Sequence, residues 1–307
     1  MSLARSVLLH VSRSRRLAAL LRRRRFVGRA VGRFMPGEEL DAALAAAGRF
    51  AGTGIGTVLT QLGENVTTLA EAEGVGRHYL DVLGRIHRAG LPTQISVKPT
   101  QLGLDVAPDA CERALRALAA GAAGSGSTLW IDMEDSRYTD ATLELFRKVR
   151  AERANVGVCL QAYLRRTPGD LASLLPLEPA IRLVKGAYAE PPAVAFPKKR
   201  DVDAAYFDLA TTLLEQAARG AATPVFGTHD MALVARIRAR AAELRVPARG
   251  FELHMLYGVR ERDQRELAAA GEAVRVLISY GSAWFAWYMR RLAERPANVW
   301  FVLKNLI

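Results

Sequence analysis

The fold is decided by the stretch Thr128–Gln161, which reads TLWIDMEDSRYTDATLELFRKVRAERANVGVCLQ. It begins with an apolar run at Thr128–Glu134, continues with an amphipathic segment at Asp140–Ala151 and ends with a second apolar run at Val156–Gln161. Near-continuous apolar runs are typical of parallel strands, because such strands are covered on both faces. The stretch therefore predicts a strand, a helix and a second strand, with Asp140 as the N-cap of the helix.

The same alternation of apolar runs and amphipathic segments continues along the chain from about residue 54. Eight strands are predicted in all, at Ile55–Gln61, Thr93–Lys98, Thr128–Glu134, Val156–Gln161, Ile181–Gly186, Pro224–Thr228, Gly250–Met255 and Val274–Ser279. Helices are predicted between them, for example at Ala107–Ala119, Asp201–Ala218 and Met231–Leu244. Eight such units fit an α/β fold of the (β/α)8 barrel type better than a doubly wound sheet, and no GxGxxG motif follows the first strand. We expect a helical arm over residues 1–50 and a barrel over residues 51–307.

The positive charge of the chain is concentrated at its N-terminus. The 307 residues carry a formal net charge of +12, and residues 1–35 contain ten arginines and no acidic residue, which leaves 12 − 10 = +2 for the other 272 residues. An arginine-rich amphipathic arm is typical of a helix on an anionic membrane surface, of an organelle transit peptide or of a solvated helix. Nucleic-acid binding is not expected, because the arm has no Tyr or Trp for base stacking.

Composition and cysteine content narrow the class of protein further. Half of the residues are hydrophobic, which excludes a disordered chain, and Cys111 and Cys159 are too few for a disulfide framework. We expect both thiols to be reduced and buried. No apolar run approaches the ~20 residues of a membrane span, and no secretory signal is evident, so we expect a cytoplasmic protein that contacts the inner face of the cell membrane, if at all, peripherally through the arm.

Polar and charged side chains stand at the ends of most predicted strands, where the active sites of (β/α)8 barrels lie. They are Lys98, Asp132, Glu134, Asp135, Gln161, Arg182, Lys185, Thr228, His229, Asp230 and His254. The acidic and histidine members suit a divalent metal ion, but three cations share the same rim and no HxH motif ends the first strand. We therefore expect no metal.

The last predicted helix carries an aromatic and charged face. Trp284, Tyr288, Arg291 and Glu294 recur at helical spacing, with Arg290 beside them. Adjacent arginines next to an acid suit a site for a carboxylate or phosphate, and surface ion pairing is the alternative.

Seven motifs together resemble those of the proline dehydrogenase family. They occur in the order of the family and are SVKPTQLG (96–103), DMEDS (132–136), CLQAYLRRT (159–167), IRLVKGAY (181–188), FGTHD (226–230), FELHMLYG (251–258) and YMRRLAERPAN (288–298). The segment FVGRAVGRFMPGEEL (26–40) is similar to the N-terminus of the short, single-function bacterial members. The resemblance covers roughly residues 26–307.

This resemblance implies an enzyme that uses FAD to oxidise L-proline to pyrroline-5-carboxylate and passes the electrons to a membrane quinone. It implies that Arg290 and Arg291 clamp the substrate carboxylate, that Glu294 lies near the ring nitrogen, and that Lys98 and Asp132 lie beside the ring. The flavin residues implied are Met133, Gln161, Arg182, Val184, Lys185, Gly186, Ala187, Thr228 and His229, with Arg182 near the reactive nitrogen. No aldehyde-dehydrogenase domain follows, so we expect a separate enzyme to oxidise the product.

The last strand departs from the family pattern, which runs Tyr-x-Pro-Tyr-Gly. Here it reads Leu277, Ile278, Ser279, Tyr280, Gly281, so the first tyrosine is lost. Leu256, Leu277 and Tyr280 are the remaining predicted substrate contacts. Leu277 predicts a wider pocket that accepts a substituted substrate such as 4-hydroxyproline; a barrel that binds flavin or an amino acid without turnover is a further alternative. His254, where Gln is common, and Ala189 are lesser departures.

Overall fold

Eight parallel strands close into a barrel in which each strand pairs with its neighbours in sequence and β8 pairs with β1. The structure is a computed structural model that describes residues 31–247, 249–285 and 288. The strands are β1 (Ile55–Gln61), β2 (Thr93–Val97), β3 (Leu129–Ile131), β4 (Val156–Gln161), β5 (Ala180–Val184), β6 (Thr223–Gly227), β7 (Glu252–Leu256) and β8 (Ala273–Tyr280). The prediction of a (β/α)8 barrel is confirmed.

A helix follows each of the first seven strands and packs outside the barrel. These helices are α2 (Leu69–Arg88), α3 (Pro108–Gly124), α4 (Thr139–Arg150), α5 (Thr167–Leu174), α6 (Lys199–Ala217), α7 (Met231–Glu243) and α8 (Glu261–Ala269), and α1 (Leu40–Gly48) precedes β1. The helix α2 begins with a complete capping box between Thr68 and Glu71. The prediction that Asp140 caps α4 is wrong: Tyr138 occupies that position, and Asp140 lies in the first turn, where it pairs with Arg166.

The outer faces of the strands and the inner faces of the helices form one large hydrophobic core. The helix α1 belongs to it, since Ala43 and Ala46 are buried in the same cluster as Val276 and Ile278 of β8. Part of the predicted N-terminal arm therefore shares its core with the barrel, while residues 1–30 lie outside the described residues. Cys111 and Cys159 are both free and buried, which confirms the prediction for the thiols.

The register of the sheet decides which side chains enter the barrel. Side chains of a strand alternate between its two faces, and register partners of neighbouring strands point the same way. Trp130 on β3 pairs with Gly157 on β4, and a Cβ atom at Gly157 would lie 2.4 Å from Cζ3 of the indole, so this ring lies across β4 inside the barrel. Because residues two apart along a strand share a face, Lys98, Asp132 and Arg182 lie on the same inner face as Trp130.

The described helices include none that is both long enough and apolar enough to cross a membrane.

Candidate active site

An ion-pair cluster lies inside the barrel near the C-terminal ends of β2, β3 and β5. The carboxylate of Asp132 pairs with the guanidinium of Arg182 and lies 3.4 Å from Nζ of Lys98. Ser96 links the same groups, because its Oγ donates to Asp132 at 2.8 Å and accepts from Nη2 of Arg182 at 2.7 Å. The structure therefore brings together three of the four residues predicted to be catalytic.

The cluster is shielded from water but not sealed. The exposed fraction of the side chain is 6% for Arg182, 12% for Lys98 and 19% for Asp132. Two cations share one carboxylate, which leaves this part of the barrel with an excess positive charge. Nη1 of Arg182 is buried and has no hydrogen-bond partner within the described part of the chain. Such an atom suits a polar ligand, because a buried donor without a partner is costly.

A chain of hydrogen bonds joins the loops that follow β1, β2, β3 and β4. Gln161 at the end of β4 donates from Nε2 to the carbonyl oxygens of Met133 and Glu134, at 3.3 and 3.2 Å. The carboxylate of Glu134 accepts from N and Oγ1 of Thr100, at 2.9 and 2.6 Å. The hydroxyl of Thr100 in turn accepts from N of Asn65, at 3.0 Å. Lys98 and Asp132 therefore lie on loops that are tied to one another and to Gln161 at the end of β4.

Glu134 joins these loops, a contact for which the sequence analysis, which named it only as a rim residue and a candidate metal ligand, gave no indication. Its side chain is buried, and burial raises its pKa to about 7, although the hydrogen bonds from Thr100 act in the other direction. It lies three residues beyond the end of β3, so nothing in the sequence indicated that its partner would be Thr100.

The opposite side of the barrel carries two leucines at the same end. Leu277 on β8 and Leu256 on β7 are register partners that face the interior, and Gly227 on β6 has no side chain. Leu277 packs against a buried interior cluster of Val58, Trp130, Ala180 and Val225. The two predicted substrate contacts Leu256 and Leu277 are thus brought together, facing the charged cluster.

The remaining predicted flavin residues lie around the ends of β3 to β6. Met133 packs in the outer core and offers its carbonyl oxygen, and Val184 ends β5 on the inner face. Gly186 has φ +114°, and a Cβ atom there would lie 2.2 Å from Cδ1 of Tyr163, so both its conformation and its space require glycine. Ala187, half-buried, follows it.

The loop after β6 is fixed by local hydrogen bonds. Thr228 is buried, and its Oγ1 accepts from N of Asp230 at 3.2 Å. Nε2 of His229 accepts from N of Leu256 at 2.8 Å, which ties this loop to the end of β7.

Gln161 leaves its Oε1 buried without a hydrogen-bond partner among the described residues.

Two predicted site residues have their polar groups on the outer side of the barrel. Nζ of Lys185 pairs with Asp203 on α6 and with Asp230 at 2.9 Å. The hydroxyl of Tyr280 lies 2.8 Å from Nε2 of His78 on α2. The physical reason for this placement is the alternation along β5 and β8, which turns the neighbours Val184 and Ser279 inward. The predicted substrate contact of Tyr280 and the predicted flavin contact of Lys185 stay predictions.

Arg290, Arg291 and Glu294 lie outside the described residues. The start of their predicted helix is described at Trp284, whose Nε1 donates to Glu38 at 2.8 Å. The N-terminal segment before α1 therefore contacts the segment that leads to the two arginines.

The acidic and histidine side chains considered as metal ligands have separate partners. Glu134 binds Thr100, Asp230 binds Lys185 and caps α7 at 3.3 Å from N of Leu233, and His254 binds Glu252. Within residues 31–247, 249–285 and 288, no three His, Cys, Asp or Glu side chains are grouped as a metal site.

Comparison with known proteins identifies the family. A family model described as proline dehydrogenase matches residues 43–304. The chain belongs to the proline dehydrogenase family. It is 37% identical over 275 residues to proline dehydrogenase 1 of Bacillus subtilis (strain 168), covering 90% of each chain, and 36% identical over 280 residues to the proline dehydrogenase of Deinococcus radiodurans, covering 90% of this chain and 89% of the relative. The chain is thus an oxidoreductase of the proline dehydrogenase family.

Solved structures with the same fold come from proline utilization A proteins. A mutant of the Bradyrhizobium japonicum protein has a TM-score of 0.76 at 25% identity, with 89% of this chain and 32% of that chain covered. The Bdellovibrio bacteriovorus protein, inactivated by N-propargylglycine, has a TM-score of 0.79 at 24% identity, with 87% and 32% covered, and supports the fold alone. The chain spans about a third of the length of these two solved chains.

Proposed function

We propose that this chain is an FAD-dependent enzyme that oxidises L-proline to pyrroline-5-carboxylate. The observation that carries the proposal is the buried cluster of Lys98, Asp132 and Arg182 in a barrel of this family, with Nη1 of Arg182 left without a protein partner among the described residues. A cationic group held in a water-poor site stabilises negative charge that develops during a reaction far better than it would in water.

The residues present fit a flavin. Nη1 of Arg182 and Oε1 of Gln161 are a buried donor and a buried acceptor that lack partners within the described chain, and an isoalloxazine ring offers atoms of both kinds. The residues that would hold it are Met133, Gln161, Arg182, Val184, Lys185 through its backbone, Gly186, Ala187, Thr228 and His229. When bound, the flavin supplies the hydride acceptor that no side chain of the protein can provide.

The protein's own part is positioning and charge. Arg290 and Arg291 would bind the substrate carboxylate, because planar guanidinium groups match it with paired hydrogen bonds. Glu294 would hold the ring nitrogen, and Asp132 would orient Lys98 and Arg182 through the ion pairs described above. Fixing the substrate in this way aligns its ring carbon for transfer, which is a large part of the barrier to such reactions.

A second candidate is the same chemistry on a substituted ring, such as 4-hydroxyproline. It is favoured by Leu277, which faces the interior and packs on an apolar cluster at the position where the family pattern has tyrosine. Leu277 brings no hydroxyl and less bulk than tyrosine, so it leaves room beside a ring substituent.

The electrons would pass to a membrane quinone, and a separate imine or semialdehyde dehydrogenase would consume the product. We propose a cytoplasmic enzyme that approaches the inner face of the cell membrane through its arginine-rich N-terminus. This part of the proposal rests on the ten arginines of residues 1–35.

The test is anaerobic addition of cyclic amino acids to the purified, flavin-loaded protein. Bleaching of the flavin absorbance by L-proline is the expected result, and bleaching by 4-hydroxyproline at comparable efficiency would support the second candidate. Flavin that stays oxidised with the whole panel would instead support a non-catalytic binding barrel. A colourless protein with stoichiometric zinc would contradict the proposal.

A further inference from the structure

Trp130 packs against Arg182 inside the barrel, although no motif singled it out. Cζ of Arg182 lies 5.1 Å from the centroid of the indole, and Trp130 is 2% exposed. A cation held over an indole face is stabilised, and by more when water is excluded. The indole is therefore an aromatic contact on this guanidinium, in addition to its polar contacts with Ser96 and Asp132.

The indole is itself held in one orientation. Its Nε1 donates to Oε1 of Gln94 on β2 at 2.7 Å. Its other edge covers Gly157 on β4, where the space that a side chain would need is taken by the ring. The indole is therefore fixed from both sides of β3. Gln94 on β2 accepts its hydrogen bond, and Gly157 on β4 leaves the space that the ring occupies.

A second chain of polar side chains reaches Trp130 from deeper in the barrel. The ring of His254 meets the indole edge to face, with centroids 5.7 Å apart and planes at 77°. Nε2 of His254 lies 2.9 Å from Glu252, which also accepts from Nε of Arg275 at 2.9 Å. Burial lowers the pKa of His254 to about 4, so the ring is neutral near pH 7 and its Nε2–H donates to the carboxylate.

We propose that Trp130 is a positioning residue, which holds the guanidinium of Arg182 so that Nη1 meets the flavin, while Gln94 and His254 hold the indole. The proposal rests on the function proposed above, since Arg182 acts there through the flavin. Trp130 touches neither substrate nor cofactor in this role. Its effect reaches the flavin through the position of one positive charge.

The experiment compares flavin midpoint potentials of the holoenzyme by spectroelectrochemistry. Trp130→Leu removes the aromatic face, so the cation stabilises the reduced flavin less well. We expect the reduction equilibrium to shift about tenfold toward the oxidised form, which is about 30 mV for a two-electron couple. Trp130→Phe restores a face without the indole N–H and should return most of that shift. A wild-type potential in Trp130→Leu, or an equal shift in both variants, would overturn the proposal.

Two further variants separate positioning from stability. Tyr206→Phe removes one hydrogen bond of a fully buried ring outside the barrel, from its hydroxyl to the carbonyl of Leu183 at 2.9 Å, and should lower stability without moving the potential. If Trp130→Leu does not fold, Gln94→Leu frees the indole to tilt and should shift the potential in the same direction; an unchanged potential would overturn the proposal. Failure of the wild type to bind flavin, or to be reduced by proline, would contradict the proposed function instead.

Discussion

The two sides of the barrel differ in chemistry at the same end. On the side formed by β2 to β5, the interior carries Lys98, Asp132, Gln161 and Arg182, tied together by ion pairs and by hydrogen bonds between loops. On the side formed by β6 to β8, the interior carries Leu256 and Leu277 beside Gly227, and its polar members His254 and Ser279 are uncharged near pH 7. One fold and one alternation of side chains thus give a charged side and an apolar side that face each other.

The difference suggests two tasks. Buried charges are costly unless they are paired, so their presence inside the barrel indicates a function. Here they suit the binding of a polar cofactor and an ionic substrate. An apolar surface recognises shape rather than charge, so Leu256 and Leu277 suit the carbon face of a small ring. We therefore expect changes on the charged side to alter rate and stability, and changes on the apolar side to alter the choice of substrate.

The largest effect is expected from Asp132→Asn on the charged side. It removes the one carboxylate that Lys98 and Arg182 share, so both cations lose their orientation. We expect kcat/KM for proline to fall by about 10²- to 10³-fold. Asp135→Asn is the matched control on the same loop, where the carboxylate pairs with the exposed Arg137, and it should stay close to the wild type. Equal losses of kcat/KM in Asp132→Asn and Asp135→Asn would contradict a specific role for the ion pairs of Asp132.

Glu134→Gln tests the cost of burying charge on that side. The pKa of Glu134 is raised to about 7 in the fold, against an ordinary value of 4.5, so the folded protein holds this proton more tightly than the unfolded chain. The wild type therefore loses stability as pH rises from about 4.5 to 7, by up to about 3 kcal/mol. Urea unfolding at several pH values should show this loss in the wild type and not in Glu134→Gln, whose amide keeps both contacts with Thr100. Parallel curves would contradict the assignment.

Leu277→Tyr tests the apolar side. The phenol restores the family pattern and fills space beside the substrate ring, so a hydroxylated ring should fit less well. We expect the ratio of kcat/KM for proline over 4-hydroxyproline to rise by roughly tenfold or more, with the flavin spectrum unchanged. Leu277→Met, of similar volume, is the control. An unchanged ratio of kcat/KM for the two substrates in Leu277→Tyr would show that the substrate ring does not lie beside Leu277.

The smallest effect is expected from Lys185→Met, on the outer side of β5. Its ammonium pairs with Asp203 and Asp230 between α6 and α7, and Lys199 contacts both carboxylates as well. We expect a stability loss of about 1 kcal/mol with kcat/KM close to the wild-type value. Lys98→Met, the matching change on the inner side of β2, should reduce kcat/KM by about tenfold or more. Equal values of kcat/KM in Lys185→Met and Lys98→Met would contradict the assignment of catalysis to the inner face and of stability to the outer face.

Much of the fold could be predicted because parallel strands are apolar runs. Every predicted strand is found, and β1 and β4 have the predicted bounds. Strand β3 ends at Ile131, three residues before the predicted end, because only N of Asp132 still reaches a neighbouring strand, at 2.8 Å from the carbonyl of Val97, before the chain turns into a short 3-10 helix at Ser136–Tyr138.

The facing of site residues was predicted less well, although a signal existed. Once Arg182 and Val184 point inward, alternation turns Lys185 outward, and Leu277 likewise fixes Tyr280 on the outer side. His254 was placed at the end of β7, but it is the third residue of that strand, and its partners are Glu252 and Trp130 deeper in the barrel. Contacts between distant loops, such as Glu134 with Thr100, depend on tertiary packing and carry no local pattern.

The central claim is that Arg182 on the charged side contacts the flavin and that Leu256 and Leu277 on the apolar side receive the substrate ring. The most direct test is a crystal structure of the flavin-loaded enzyme with a five-membered cyclic carboxylate that lacks an oxidisable amine. We predict Nη1 of Arg182 hydrogen-bonded to the flavin, the ligand ring against Leu256 and Leu277, and its carboxylate on Arg290 and Arg291. A flavin that leaves Nη1 of Arg182 without a partner, or a ligand ring bound away from Leu277, would contradict the account.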